Sequence, residues 1–206
     1  RTLCILLLLA FSATMAVAQS PTAKSPGSKK LAELSTAPVQ LTIPEVGKEV
    51  QRVALDTGMI IYLYENHRLP LFNVGVMIRC GSIYDAGEKA GLSGLVGTVM
   101  RTGGSKSVGG DSLNILMEFI GGSLETSVGS EAGSANLSVL AKDKDLGLSL
   151  LADLLRNPAF PEDKLELAKT DIKNQIKRRN DDPNGVAGRY FANTLYGDHP
   201  YVRILD

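Results

Sequence analysis

Histidine and cysteine, the side chains that most often bind zinc or act as nucleophiles, are nearly absent from this 206-residue chain. It has two histidines, His67 and His199, and two cysteines, Cys4 and Cys80. The apolar start resembles a signal peptide whose removal would take Cys4 with it, so the mature chain cannot form an internal disulfide. The two histidines share no helix face and no cysteine pair accompanies them, so the sequence predicts no shared metal site.

Neither sign of charge is in excess. The 22 lysine and arginine residues balance 22 aspartate and glutamate residues, which gives a formal net charge of zero. This balance offers no electrostatic basis for binding nucleic acid or an anionic surface. The alternating signs along residues 173–182 are typical of a solvated helix face.

Three common catalytic or phosphate-binding patterns are also missing. Ser93 lacks the glycines of a G-x-S-x-G elbow, which excludes that type of serine hydrolase. No glycine cluster fits the dinucleotide or Walker pattern, and Gly103-Gly104 and Gly109-Gly110 are predicted to form turns or hinges around a polar loop. Cys80 follows a predicted strand with no candidate catalytic histidine near it in sequence, so we expect a buried, unreactive thiol.

The start of the chain carries targeting and linker signals. Residues 1–18 have a basic start, an apolar run and the small-residue site Ala16-Val17-Ala18, which is the pattern of a secretory signal peptide. Residues 19–44 are rich in Pro, Ser, Ala and Lys and are predicted to be a flexible leader. We therefore expect a protein secreted across the inner membrane into the periplasm, with no stable membrane anchor and a folded domain at residues 45–206.

Periodicity along residues 45–206 predicts five strands and four helices. Apolar alternation and turn signals predict strands at residues 50–55, 59–65, 72–79, 123–128 and 134–140. Helical spacing predicts helices at residues 90–101, 111–120, 142–156 and 162–179. Because the strands fall into hairpins, this order favours an α+β fold, with a mixed or antiparallel sheet covered by helices, over a parallel doubly wound sheet.

The first predicted helix carries a stripe of small residues beside its apolar face. Gly94, Gly97 and Thr98 lie on this stripe, although each glycine disfavours a helix by about 1 kcal/mol relative to alanine. One explanation is close packing against another backbone segment, which glycine permits. The apolar face itself comprises Leu92, Leu95, Val96, Val99 and Met100.

Four segments of the chain carry a family resemblance. They are ENHRLPLFNVGVMIRCGSIYDAGEKAGLSGLVGTVMRTGG, EFIGGSLETSVGSEAG, LLADLLRNPAFPEDKLELAK and DDPNGVAGRYFANTLYGDHPY. In this order they resemble the N-terminal domain of the insulinase/pitrilysin-type metallopeptidases. The resemblance implies an insulinase-like domain, and we expect it to be incomplete at its C-terminus because the family's sheet has at least one further strand.

The resemblance also implies where the family binds zinc. Active members carry H-x-x-E-H on the first helix, where residues at i and i+4 share a face, so that two imidazoles bind one zinc ion beside a general-base glutamate. In this chain the histidine positions fall on Gly94 and Thr98, and the base position falls on Gly97. A further glutamate ligand, from the later long helix, falls on Gln175.

None of these four residues suits zinc. The glycines offer no side-chain ligand, and Thr98 and Gln175 offer neutral oxygens, whereas catalytic zinc takes imidazole, thiolate or carboxylate. Gln175 lies near the apolar stripe of its helix, and we expect it to point inward. The sequence thus predicts no catalytic residue, no bound metal or other cofactor, and no peptidase activity for this domain.

Three functions remain open under this resemblance. The family's peptidases resemble clamshells of paired domains, which hold peptide partly by adding a strand to a sheet edge. We favour a non-catalytic partner of an active insulinase-like subunit, or of a second half of the same chain, that helps form a peptide-binding chamber. The candidate edge is the strand at residues 123–128 with its hairpin mate. The alternatives are an assembly scaffold without peptide handling, and an active zinc peptidase whose site lies in a further C-terminal part.

Overall fold

The computed structural model describes residue 30 and residues 43–203. The chain divides between Glu65 and Asn66 into two compact units. The predicted signal peptide, residues 1–18, lies outside the described residues, as does the predicted leader up to residue 42 apart from residue 30. In the part that is described, no helix is both long enough and apolar enough to cross a membrane.

The first unit contains a two-stranded antiparallel hairpin. β1 (Val50–Ala54) pairs with β2 (Ile60–Tyr64). The Leu55 N–H donates to the Met59 carbonyl at 2.9 Å and closes the turn. Gly58 adopts a φ of +86° in that turn, a left-handed conformation that glycine tolerates best. The predicted hairpin is therefore confirmed, with slightly shorter strands.

The second unit is built on a three-stranded antiparallel sheet. Its strands are β3 (Leu71–Ile78), β4 (Ser123–Val128) and β5 (Gly133–Leu140), in the spatial order β3–β5–β4. β5 therefore lies in the centre, and β4 forms one edge. The expectation that β4 and its hairpin mate together form the edge is wrong for β5, because β3 pairs with the other side of that strand.

One face of this sheet carries the hydrophobic core. Alternation along the strands places Leu124 of β4 opposite Leu137 of β5 on that face. The opposite face is mostly polar, with rows such as Asn73, Ser138 and Ser123, as is typical of an antiparallel sheet with one solvated face. Helices cover the apolar face, and the core they form with it comprises Leu113, Met117, Leu124, Ala135, Leu137, Val139, Leu150, Leu151 and Leu154.

Five α-helices belong to the second unit within the described residues. They are α1 (Leu92–Gly103), α2 (Gly110–Phe119), α3 (Lys144–Arg156), α4 (Glu162–Arg178) and α5 (Pro183–Tyr196). The first four confirm the predicted helices to within two residues at each end. The α+β class is confirmed as well, because the described strands pair antiparallel and helices cover one face of the sheet.

The last helix, α5, is absent from the prediction. Its start is capped by Asp182, whose carboxylate accepts the N–H groups of Asn184 at 3.1 Å and Gly185 at 2.9 Å. The charged segment at residues 173–182, which was predicted to be a solvated helix face, therefore ends at the residue that caps α5. An aspartate followed by Pro183 at the first helical position is a recognised start signal, and reading it would have placed the helix.

The loop between α1 and α2 is fixed to the end of α3. The Lys106 N–H donates to the Asn157 carbonyl at 2.8 Å, and the Ser107 hydroxyl donates to the Asp153 carboxylate. The Asn157 amide donates to the second oxygen of Asp153 at 2.9 Å. Hydrogen bonds from Ser105, Ser107 and Asn157 lower the pKa of the Asp153 carboxyl to about 2.

Tight packing or backbone conformation explains three of the four glycines around the loop. A Cβ on Gly103 would lie 2.5 Å from a carbon of a proline ring. Gly104 has a φ of +73°, in the left-handed region. A Cβ on Gly110 would overlap the carbonyl of Thr102, while a Cβ on Gly109 would meet no atom within 4 Å. These contacts identify Gly104 as a turn former and Gly110 as a close-packing residue.

Asp153→Asn is expected to lower the stability of the fold at neutral pH. It is also expected to reduce the amount of stability that is lost on going to acid pH. The folded-state pKa lies below the ordinary value of 3.8, so the ionised carboxylate stabilises the fold above that pH. This stabilisation is lost as the pH falls through about 2. Urea midpoints of wild type and variant should therefore differ most near neutral pH and converge in acid.

The measurement is urea unfolding followed by circular dichroism across that pH range. Asp171→Asn, which changes an exposed aspartate of α4, is the matched control for the removal of one carboxylate. Identical midpoints for wild type and Asp153→Asn at neutral pH would contradict the assigned role of the carboxylate.

Candidate functional site

The N-terminus of α1 is held by a carboxylate from outside the helix. Asp85 accepts hydrogen bonds from the Gly91 N–H at 3.0 Å, the Ser93 N–H at 3.3 Å and the Ser93 hydroxyl at 2.8 Å. The first N–H groups of a helix have no partner within it, and the N-cap residue Gly91 has no side chain to supply one. Arg203 donates in turn to the Asp85 carbonyl.

The helices that carry the four positions implied by the family resemblance are in contact, because α1 packs against both β4 and α4. Gly94 and Thr98 lie one turn apart on α1, with Gly94 half-buried and Thr98 exposed. Gly97 is buried. The fold therefore brings the two helices together, while each position has a different environment.

The expectation that Gln175 points inward is wrong, because its side chain is exposed. The apolar stripe of α4 does face inward: Ala168 is buried, and Leu165, Ile172 and Ile176 are half-buried. Ala168 lies two turns before Gln175 on nearly the same side of the helix. Ala168 and Gln175 therefore differ in burial because of their positions along α4, whose C-terminal turns extend beyond the core.

Gly94 and Gly97 differ in the space around them. A Cβ at Gly94 would meet no atom within 4 Å outside its own helix, so packing does not require glycine there. A Cβ at Gly97 would lie 2.7 Å from the backbone nitrogen of Val128 and 3.0 Å from the carbonyl carbon of Ser127. The close-packing explanation of the small stripe therefore holds at Gly97 and fails at Gly94.

Two further contacts fix α1 to β4 around this point. The Thr126 hydroxyl donates to the Gly97 carbonyl at 2.7 Å. One turn later, Nε of Arg101 lies 3.4 Å from a carboxylate oxygen of Glu125, and the guanidinium donates to Asn114 at 2.8 Å. Because Glu125 and Thr126 point to opposite faces of β4, α1 contacts both sides of this edge strand.

The outer edge of β4 presents unpaired backbone groups at alternate residues. The Gly129 N–H donates to the Ala132 carbonyl at 2.9 Å, which makes this the first hydrogen-bonded pair of the β4–β5 ladder. Since such pairs alternate along an antiparallel ladder, the N–H and C=O groups of Leu124, Thr126 and Val128 point away from β5. The Val128 nitrogen faces Gly97 and Leu124 is fully buried, which leaves the half-buried Thr126 as the residue whose outward groups are least covered.

The residues at the four positions do not fit a zinc ion. Gly94 and Gly97 contribute only backbone, Thr98 a hydroxyl, and Gln175 an exposed amide, whereas protein zinc takes imidazole, thiolate or carboxylate ligands. Among residue 30 and residues 43–203, no group of three or more His, Cys, Asp or Glu residues could hold a metal ion.

The two histidines and Cys80 lie outside the four positions. His199 lies 4.5 Å from Tyr201 between ring centroids, and its Nδ1 accepts the Tyr201 N–H at 3.3 Å. His67 follows β2 and is exposed. Cys80 is half-buried rather than buried as expected, and its sulfur lies 2.6 Å from where a Cβ on Gly133 would be.

Comparison with known proteins identifies one family model and several relatives. The family model described as Insulinase (Peptidase family M16) matches residues 61–205. A Mycobacterium leprae protein named as an uncharacterized zinc protease is 28% identical over 154 residues, which cover 75% of this chain and 34% of that protein. Mitochondrial cytochrome b-c1 complex subunit 1 of Bos taurus is 25% identical over 158 residues, covering 77% of this chain and 32% of that subunit.

A solved structure shows the same fold. It is described as the inactive domain of a peptidase M16 from Pseudomonas fluorescens, and it superposes with a TM-score of 0.67 at 22% identity. The match covers 75% of this chain and 38% of that chain. The present chain thus spans about a third of the length of the relatives that it matches.

Gly94→Ala and Gly97→Ala are expected to change stability in opposite directions. Gly94→Ala should raise the free energy of unfolding by up to about 1 kcal/mol, because alanine favours the helix and the site is open. Gly97→Ala should lower it by about 1–3 kcal/mol, because the added carbon overlaps the β4 backbone. Chemical denaturation of both variants beside wild type measures the difference, and equal effects would contradict the assigned packing.

Proposed function

This chain belongs to the insulinase family, peptidase family M16, and from that membership we propose that it is a non-catalytic half or partner subunit that helps form a peptide-binding chamber. The observation that carries the proposal is the absence of any zinc-binding side chain at Gly94, Thr98 and Gln175, together with glycine at the base position, Gly97. With neither a metal nor a base, a water molecule at this site keeps its ordinary high pKa.

Known relatives support such a role without assigning it. One relative is a subunit of the cytochrome b-c1 complex, and one structural neighbour is described as an inactive domain. We propose that the partner here is an insulinase-like subunit that carries H-x-x-E-H, or a second half of the same chain with that motif. We also propose that the complex acts in the periplasm, where the predicted signal peptide would direct it.

Peptide binding requires no catalytic side chain if it uses a sheet edge. An extended peptide can add as a strand to β4 at Thr126, because the outward N–H and C=O groups of this half-buried residue have no ladder partner on that side among the described residues. The contact between Val128 and Gly97 and the burial of Leu124 limit this addition to the middle of the strand. The edge is therefore short and suits a few peptide residues.

Thr126→Pro is expected to abolish peptide binding, while Thr126→Val retains it. Both changes remove the hydroxyl that bonds to Gly97, but only proline also removes the outward N–H. The purified full chain, assembled with its partner, would be titrated with a fluorescent extended peptide and followed by anisotropy. Unfolding midpoints of the two variants verify that both fold. Equal peptide affinity in the two variants would exclude strand addition at this edge.

Co-purification with an H-x-x-E-H family member from the same source tests the partner role. We expect a stable complex in which zinc, measured by atomic absorption, follows the partner and not this chain. A complex that shows no saturable peptide binding would favour the alternative of an assembly scaffold, to which the cytochrome b-c1 relative points. Stoichiometric zinc and chelator-sensitive proteolysis in the full-length chain alone would overturn the proposal in favour of an active peptidase with its site in a further C-terminal part.

A further inference from the structure

We propose that the approach of α1 to β4 closes position 97 to every side chain, while positions 94 and 98 on the same helix remain open. A general base is then excluded by the packing of two backbones, and not only by the choice of residue. This inference rests on the proposed non-catalytic function and extends it, since it explains why a single substitution would not restore the base.

The atoms that crowd Gly97 cannot rotate away. The atoms nearest to an added Cβ are the backbone nitrogen of Val128 at 2.7 Å and two backbone carbons of Ser127 at 3.0 and 3.1 Å. A flexible side chain could yield at such a distance, whereas backbone within a paired strand can move only with the strand. Any residue larger than glycine at this position must therefore separate α1 from β4.

Separation of α1 from β4 would break contacts that the described structure holds on both sides of Gly97. The Thr126 hydroxyl bonds to the Gly97 carbonyl at 2.7 Å. Val99, two residues later on α1, is only 1% exposed and is part of the buried interior. The Arg101 guanidinium contacts Glu125 on the other face of the strand. The helix is thus fixed at the position where a base would need room.

Positions 94 and 98 present the opposite case. A Cβ at Gly94 would meet nothing within 4 Å, and Thr98 already carries an exposed side chain. Residues at i and i+4 lie on one helix face, so two imidazoles introduced there would converge on one divalent ion. The chain therefore has space for two metal ligands and no space for a base between them.

The first experiment compares Gly97→Glu with Gly94→Glu in the full chain. The two variants add the same side chain to the same helix, one turn apart. We expect Gly97→Glu to lower the thermal midpoint by at least several degrees and Gly94→Glu to leave it near the wild-type value. If Gly97→Glu does not fold, Gly97→Ala decides, since it adds one carbon and no charge. A wild-type midpoint for Gly97→Ala would overturn the proposal.

The second experiment measures metal binding by Gly94→His/Thr98→His. Calorimetric titration with Zn²⁺ should show one bound ion per chain, and the thermal midpoint should rise with metal concentration. The single variant Thr98→His is the control and should bind more weakly by at least an order of magnitude, because one imidazole holds zinc poorly. Failure of the double variant to bind more tightly than the control would overturn the claim that these positions are open.

The outcomes distinguish this inference from the proposed function. A tolerated Gly97→Glu in a chain that still binds no zinc would refute the closure of position 97 and leave the non-catalytic role intact. Zinc-dependent cleavage by the unmodified full-length chain would refute the non-catalytic role, whatever the stability of the variants.

Discussion

The contact between the backbones of α1 and β4, at Gly97 and Val128, is the constraint around which the second unit is arranged. It needs a glycine, it places Val99 in the buried interior, and it brings the Thr126 hydroxyl to a helix carbonyl. A hydrogen bond from a hydroxyl to a carbonyl contributes about 1 kcal/mol to stability, which adds to the packing of the helix on the strand. The helix that carries the family's catalytic positions thus has a structural role in this chain.

The same contact defines how much of the sheet edge is available. β4 is an edge strand, and long exposed edges invite association with other chains. Here α1 covers the Val128 end, and the Arg101–Glu125 ion pair lies beside the strand. Charge next to an edge and a short open length both discourage nonspecific strand pairing. An open edge limited to the region of Thr126 is thus compatible with selective peptide binding and with a stable folded chain.

Sequence periodicity was sufficient to predict most of the secondary structure, because the helices and strands that form the described core are amphipathic. Alternation in β5 and helical spacing in α3 each place their apolar residues on the core face. The α5 helix escaped prediction because its apolar residues include no buried one, so its only strong signal is the cap at Asp182 and Pro183. The central position of β5 in the sheet was also not predicted, since the order of the strands depends on which strand pairs with β3.

The candidate site was predictable in its chemistry and only partly in its geometry. Residue types alone indicated that the four positions cannot hold zinc. Periodicity could not distinguish the environments of Gly94 and Gly97, because these differ in how closely β4 approaches each residue. Periodicity also could not reveal that Gln175 lies past the buried part of α4. That depends on how far the helix extends beyond the core against which it packs.

The capping of α1 by Asp85 has a consequence for how the chain acquires its structure. Asp85 is held in turn by Arg203, which follows it by 118 residues, and Glu131 is bonded by Tyr201 at a separation of 70 residues. Contacts so distant along the chain close large loops and form late in folding. The start of α1 therefore receives its final support only when the chain as far as Arg203 is available for folding.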